Sequence, residues 1–185
     1  MATALGLALF GWVFALEPAA GAPAELRSAQ EYAVKAAFIF NFAKFIEWPS
    51  QALAEPDAPL LLCILGADPF GDTLSAIENR TVKGRRLAIK RIRALEAAGG
   101  CGMLFIARSE RHRLEQMLPA LQGQPVLTIA DMEGFAEAGG VINLVMAEDK
   151  VRFEINLEAA QRARLQISAK LLRLGRVVTG GTEED

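Results

Sequence analysis

The chain has 185 residues, about half of them apolar and about a quarter charged, enough to bury the core of one globular domain and too few for two. Its 20 basic and 22 acidic residues leave a formal charge of −2. A balance this close to neutral sets up no long-range field to gather nucleic acid or an anionic membrane, so no nucleic-acid partner is expected and any polyanion has to be met by a local patch.

Residues 1–24 hold one charged residue, Glu17, and an apolar block from Leu5 to Leu16 that relaxes into Pro18-Ala19-Ala20-Gly21-Ala22-Pro23-Ala24. A block of about a dozen apolar residues followed by small ones, with Ala22-Pro23-Ala24 as an A-x-A-like site, reads as a secretory signal peptide cleaved before Glu25. No Lys or Arg precedes the block, where a signal carries positive charge. The rival is an uncleaved anchor, for which the block falls short of the ~20 residues of a spanning helix. A single domain is expected over 25–179, with a disordered tail over 180–185.

From Ser28 the residues Tyr32, Val34, Ala37, Phe38, Asn41, Phe42, Phe45 and Ile46 recur at helical spacing, and Pro49 stops the helix at Trp48. The run Leu60 to Leu65, closed by Gly66, predicts a strand buried on both faces. Asp68-Pro69 predicts a second helix, from an N-cap and N1 pair to near Asn79. Strands follow over Arg86 to Ile92 and Met103 to Ile106. Ser109 is placed to cap a helix with Leu114, Met117, Leu118 and Leu121 as its apolar stripe, and Val126 to Ile129 is the next strand. Val141 to Met146 and Val151 to Ile155, joined by Ala147-Glu148-Asp149-Lys150, predict a hairpin, and Asn156 caps a helix over Leu157 to Ala163. The last segment is expected to be a short extended piece at Leu165 and Ile167, then a helix from Ser168 that takes in Leu171, Leu172, Leu174 and Val178. Apolar strands alternating with helices imply an α/β three-layer sandwich, with a mostly parallel central sheet plus a C-terminal antiparallel hairpin.

Two cysteines, Cys63 and Cys101, lie on strands of the same expected sheet. In an exported chain they are expected to pair; the alternative is two small buried hydrophobes that never meet. His112 is the only histidine and stands beside Glu110, Arg111 and Arg113, which cannot assemble a zinc site, so no metal is expected. No nucleophile elbow, Ser-His-Asp or Cys-His set, dinucleotide fingerprint or Walker loop is present, so the chain is expected to be no enzyme, to have no catalytic residue and to carry no cofactor. Asp131 and Glu133 read as a solvated turn rather than a glycosidase pair. The cluster Lys83, Arg85, Arg86, Lys90, Arg91 and Arg93 reads as a charged guard on an edge strand, with a seat for phosphate or an acidic partner as the alternative. The aromatic face of the first helix reads as core before partner surface.

The blocks Val34-Lys35-Ala36-Ala37-Phe38, Asn41 through Pro49, Cys63-Ile64-Leu65-Gly66 with Asp68-Pro69-Phe70-Gly71, and Cys101 through Ile106 with Ser109-Glu110 occur in that order. Gly134-Phe135, Gly139 through Leu144, Arg152 through Asn156 and Ile167 through Leu172 follow them. Together they resemble the YfiR-like (YfiR/HmsC) family of exported proteins and span nearly all of the chain after residue 24. The resemblance implies an α/β fold, a homodimer, a periplasmic location, and a disulfide that maps onto Cys63 and Cys101. It also implies a negative regulator of an inner-membrane diguanylate cyclase that binds the cyclase's periplasmic region, lowering cyclic di-GMP and with it biofilm or exopolysaccharide output. An outer-membrane lipoprotein is a further implied partner. The candidate partner or ligand surface is Phe38, Asn41, Phe42, Trp48, Arg152, Asn156 and Ser168. Two departures stand out: no cysteines for the second disulfide that the family's best-studied member has, and Arg164 where the family pattern tends to have a small residue, often Gly. The alternative function is a periplasmic binder of small aromatic or nucleotide-like molecules, with Gly66 to Gly71 and Ala107 to Ser109 lining the cleft where α/β sheets place ligands.

Overall fold

The computed structural model describes residues 24–53, 55 and 57–180. The expected signal segment up to residue 23 and the tail from residue 181 lie outside the described residues.

The first helix, α1, runs Ala24–Phe45 and buries Ala36, Ile39, Phe40, Phe42 and Ala43 along one stripe. It stops at Phe45 rather than at Trp48, because Ile46–Glu47 (β1) opens into an extended pair that bonds antiparallel to Gln166–Ile167 (β9). Strands β2 (Leu60–Leu65), β3 (Thr81–Val82), β4 (Arg85–Ile92), β5 (Met103–Ile106), β6 (Leu127–Ala130), β7 (Ile142–Ala147), β8 (Lys150–Asn156) and β10 (Arg176–Val178) form one eight-stranded sheet, in the order β10-β8-β7-β6-β5-β2-β4-β3. The block β4-β2-β5-β6-β7 is parallel, β3 and β8 run against it, and β10 is parallel to β8.

One face of the sheet packs on α1, together with α3 (Leu157–Arg162) and α4 (Ala169–Leu172); the other packs on α2 (Leu114–Leu121). This is the α/β layering expected from the sequence. Phe42 stacks edge-on against Phe153 of β8 at 5.0 Å, and Phe38 lies 5.8 Å from the same ring, so the aromatic stripe is largely core. The stripe Leu114, Met117, Leu118 and Leu121 is buried as expected, and Asn156 caps α3 by accepting from Ala159 N at 2.8 Å.

Three expectations need correction. The segment after Asp68-Pro69 forms a 3₁₀ turn over Gly71–Ala76, too short for the α-helix expected there; Asp68 Oδ1 accepts from Phe70 N at 2.8 Å, an Asx-turn bond that closes the chain locally. Ser109 does not cap α2. Its hydroxyl accepts from Ala67 N at 2.9 Å across the sheet edge, and a 3₁₀ turn over Arg108–Arg113 leads into the helix. Leu174 and Val178 do not continue a final helix. The helix ends at Leu172 and Val178 enters β10, whose backbone pairs with Asn156; tertiary pairing at the sheet edge overrides the local helical pattern.

Two hairpins close through two-residue turns with both central residues at positive φ, the twist-matched arrangement: Lys83-Gly84 (51°, 76°) and Glu148-Asp149 (50°, 57°). Arg164 also has a positive φ, 56°, so the geometry that favours a small residue there is kept, and its guanidinium donates to Gly123 O at 2.8 Å.

Cys63 on β2 is bonded to Cys101, two residues before β5, with Cα atoms 5.9 Å apart, and both are buried among Leu114, Leu118, Leu121 and Phe135. The bridge closes 38 residues, worth roughly 4 kcal/mol in the chain-entropy view. Replacing both cysteines by alanine is expected to lower the unfolding free energy in urea by about that amount; a loss under about 1 kcal/mol would show that loop closure is not what the bridge contributes.

Candidate functional site

Asp131 directly follows the last residue of β6, and its side chain is wholly shielded from solvent. Four donor groups converge on it. Lys35 Nζ, from the middle of α1 and itself 1% exposed, reaches Oδ2 at 2.6 Å. Tyr32 donates its hydroxyl to the same oxygen at 2.9 Å. Arg108, in the turn after β5, places Nε 3.2 Å from Oδ1 and 3.0 Å from the Asp131 carbonyl, with Nη2 3.2 Å from Oδ2. Glu31, one turn before Lys35, completes the pairing of the ammonium, which also lies 4.5 Å from the centre of the Tyr32 ring.

A second polar row crosses the sheet on the face away from α1. Cross-strand neighbours Asn143, Glu154 and Arg176 sit side by side on β7, β8 and β10. Asn143 Oδ1 accepts from Met132 N at 3.1 Å, its Nδ2 donates to Glu154 Oε2 at 3.1 Å, and Arg176 pairs with the other oxygen of Glu154. That hydrogen bond and charge raise the Arg176 guanidinium above its ordinary pKa. Between the two assemblies lies a crevice of about 550 Å³ whose walls include Lys35, Arg108, Asp131, Glu137, Glu154 and Arg176. Arg108 and Arg176 keep about two thirds of their side chains exposed, 62% and 67%, so each offers free N–H groups at the rim. Met146 joins this crevice to a neighbouring groove between the N-terminal half of α1 and the β7–β8 hairpin, where exposed Val34 and Arg152 face the opening.

The candidate surface residues are not brought together. Phe42 and Asn156 are buried, Asn156 spending its amide on Ala136 O at 2.7 Å. Phe38 is half-buried against Phe42 and Phe153. Trp48 donates Nε1 to Gly102 O at 2.9 Å beside the disulfide, and Ser168 bonds through its backbone N to Phe45 O at 2.9 Å ahead of α4. Asn41 is exposed on α1 and accepts from Lys44. Arg152 is exposed in the α1–hairpin groove.

Gly66 and Ala107 to Ser109 do lie at the C-terminal ends of β2 and β5, where the strand order reverses. That point is filled by the chain itself. A Cβ on Gly66, at φ 92°, would stand 2.4 Å from Ser109 Oγ and 2.8 Å from Glu110 Oε1. Among the described residues no group of three or more His, Cys, Asp or Glu is placed to hold a metal ion, and His112 is exposed.

The crevice presents fixed guanidinium and carboxylate groups beside apolar side chains, an arrangement suited to recognition. The match to a family model decides what kind of protein carries it. The chain belongs to the YfiR/HmsC-like family. The matched region, residues 32–176, takes in Tyr32, Lys35, Arg108, Asp131, Asn143, Glu154 and Arg176. YfiR/HmsC-like proteins are periplasmic regulators of diguanylate cyclases, regulatory rather than catalytic.

The reading of Asp131 as a solvated acid is corrected; the sequence alone places Tyr32 only in the aromatic helix face and assigns no site role to Lys35, Arg108, Asn143, Glu154 or Arg176. A signal for the pair was present. Lys35 lies at helical spacing between Tyr32 and Ile39 on the apolar stripe, and Asp131 directly follows the mostly apolar run Val126 to Ala130; a charge on a buried face calls for a buried partner.

Burial first, then the charge and hydrogen bond of Asp131, raise the Tyr32 hydroxyl well above its ordinary value of about 10. The folded state thus holds this proton more tightly than the unfolded state. Its contribution to stability is complete below about pH 10 and is lost as pH rises toward the folded value. Tyr32 is the chain's one tyrosine, so phenolate absorbance reads it directly. The native protein is expected to show no phenolate at pH 10.5, and Asp131→Ala to shift ionisation downward; half ionisation near pH 10 in the native protein would refute the buried bond.

Proposed function

We propose that this chain is exported, with cleavage before Glu25, and acts in the periplasm as a repressor of an inner-membrane diguanylate cyclase. It binds the cyclase's periplasmic region, lowers cyclic di-GMP and so reduces biofilm or exopolysaccharide output. The family match over residues 32–176 carries this reading. Repression requires tighter binding to the inactive cyclase than to the active one, and the free energy available is that difference in affinity. The joined grooves around Met146, with Val34, Arg108, Arg152 and Arg176 among their lining residues, are the surface best suited to that contact, because they combine exposed apolar side chains with the guanidinium groups of Arg108 and Arg176, each held by a buried carboxylate. In this reading the working form is a homodimer, and an outer-membrane lipoprotein is a further partner. Asn41, Trp48 and Ser168 lie outside these grooves and belong, in this reading, to the second contact.

Deleting the gene is expected to raise cellular cyclic di-GMP several-fold, with the level restored by the wild-type chain but not by Arg152→Glu exported in equal amount. Unchanged cyclic di-GMP on deletion of an expressed gene would sink the repressor reading; full rescue by Arg152→Glu would remove the groove from it.

A further inference from the structure

The stretch from Arg80 to Arg93 contains seven basic residues and no acidic one. It forms β3, the turn and β4 at the end of the sheet opposite β10. Only two of the seven meet a carboxylate within the described residues: Lys83 pairs with Glu47, and Arg91 Nε lies 2.7 Å from Asp68 Oδ2. Arg85 spends its guanidinium on the carbonyls of Leu53, Glu55 and Ala58, and Lys90 on Ala97 O, which fixes both side chains without neutralising them.

The same strand has an unfinished edge. Strand β3 covers β4 only at Arg85 and Arg86, with Arg80 O accepting from Leu87 N at 2.9 Å and Asn79 N donating to Leu87 O at 2.8 Å. On the inner side, Ile92 O accepts from Gly66 N at 3.2 Å. Backbone groups alternate in direction along a strand, so the N–H and C=O groups of Ile89 and Arg91 face outward with those of Leu87, past the end of β3. No strand among the described residues pairs with them. Arg86 and Lys90 flank this edge on the α2 face, and Arg91 and Arg93 on the α1 face, by alternation with Ile92 and Leu87, which pack in the two respective cores.

We propose that the outer edge of β4 at Ile89–Arg91 is a docking strand for an acidic, extended segment of a partner protein, which adds one strand to the sheet. Backbone bonds to Ile89 and Arg91 supply the pairing, and the cations on both faces select an acidic sequence. A second copy of this chain is disfavoured at the same place, since edge-to-edge pairing sets two strands whose charges are all positive against each other. The position, at the far end of the sheet from Arg176, leaves the grooves around Met146 free for a different contact.

The test uses the full exported protein and a labelled eight-residue peptide alternating glutamate and threonine, compared with peptides carrying glutamine or lysine in place of glutamate. The glutamate peptide is expected to bind at least tenfold more tightly than the glutamine peptide, and the lysine peptide not to bind. Amide exchange at Ile89 and Arg91 should slow at least tenfold in the complex. Ile89→Pro removes an outward donor while leaving the inner ladder to β2 intact, and should abolish binding. Arg86→Glu with Arg93→Glu should cost at least tenfold in affinity, which keeps the test open if the proline variant does not fold. No binding at millimolar peptide, protection at other amides, equal affinity for the three peptides, or self-association lost in Ile89→Pro would each overturn the proposal and leave the cations as an edge guard alone.

Discussion

One buried carboxylate organises this molecule. Asp131 lies where three separate parts of the chain have to meet: the long helix through Tyr32 and Lys35, the turn after β5 through Arg108, and the end of β6 on which it stands. A lysine ammonium shielded from water is tolerable only if its charge is answered at hydrogen-bond distance, and the same holds for the carboxylate. Replacing the pair by well-packed apolar side chains is often neutral or better in other proteins, so its worth lies less in net stability than in orientation. Apolar side chains let a helix slide or rotate on a sheet with little penalty; a single matched ion pair does not. The position of α1, and with it the groove it forms against the β7–β8 hairpin, follows from that contact.

The disulfide does complementary work on the opposite face. Cys63 and Cys101 tie the central strand β2 to the entry of β5 beneath α2. Asp131 thus fixes the α1 layer at the C-terminal end of the parallel strands, and the bridge fixes the α2 layer near their start. The region around Met132 and Asn143 is held by hydrogen bonds, Met132 N to Asn143 and Asn143 to Glu154. In a regulator this division is useful: a rigid sheet presents charged groups at a fixed spacing, and recognition depends on that spacing rather than on reactive chemistry.

Much of this frame was legible in the residues. The continuously apolar runs at Leu60–Leu65 and Met103–Ile106, the hairpin closed at Glu148-Asp149, the stripe of α2 and the Asn156 cap each follow from short-range patterning, which needs no knowledge of the partner element. What was not legible depends on contacts distant in sequence. Val178 looked helical and is drawn into β10 by the open edge of β8; Ser109 had a partner, Ala67 N, some forty residues away, which outcompeted a role as helix cap. The site was harder still: a charge among apolar neighbours signals a buried partner, but Lys35 and Asp131 lie 96 positions apart, and neither one names the other. The family resemblance pointed to function but to no particular surface, and the residues drawn from it scatter between core, helix start and groove.

Lys35 and Asp131 act as one unit holding α1 to the sheet, and a double-mutant cycle in urea with Lys35→Met, Asp131→Leu and the pair together reads that coupling. Each single change leaves a buried charge short of its partner, so the singles are expected to be costly, the double to be less destabilised than their sum, and the coupling to be at least about 2 kcal/mol. Additivity within about 0.5 kcal/mol would contradict it, placing α1 by apolar packing alone.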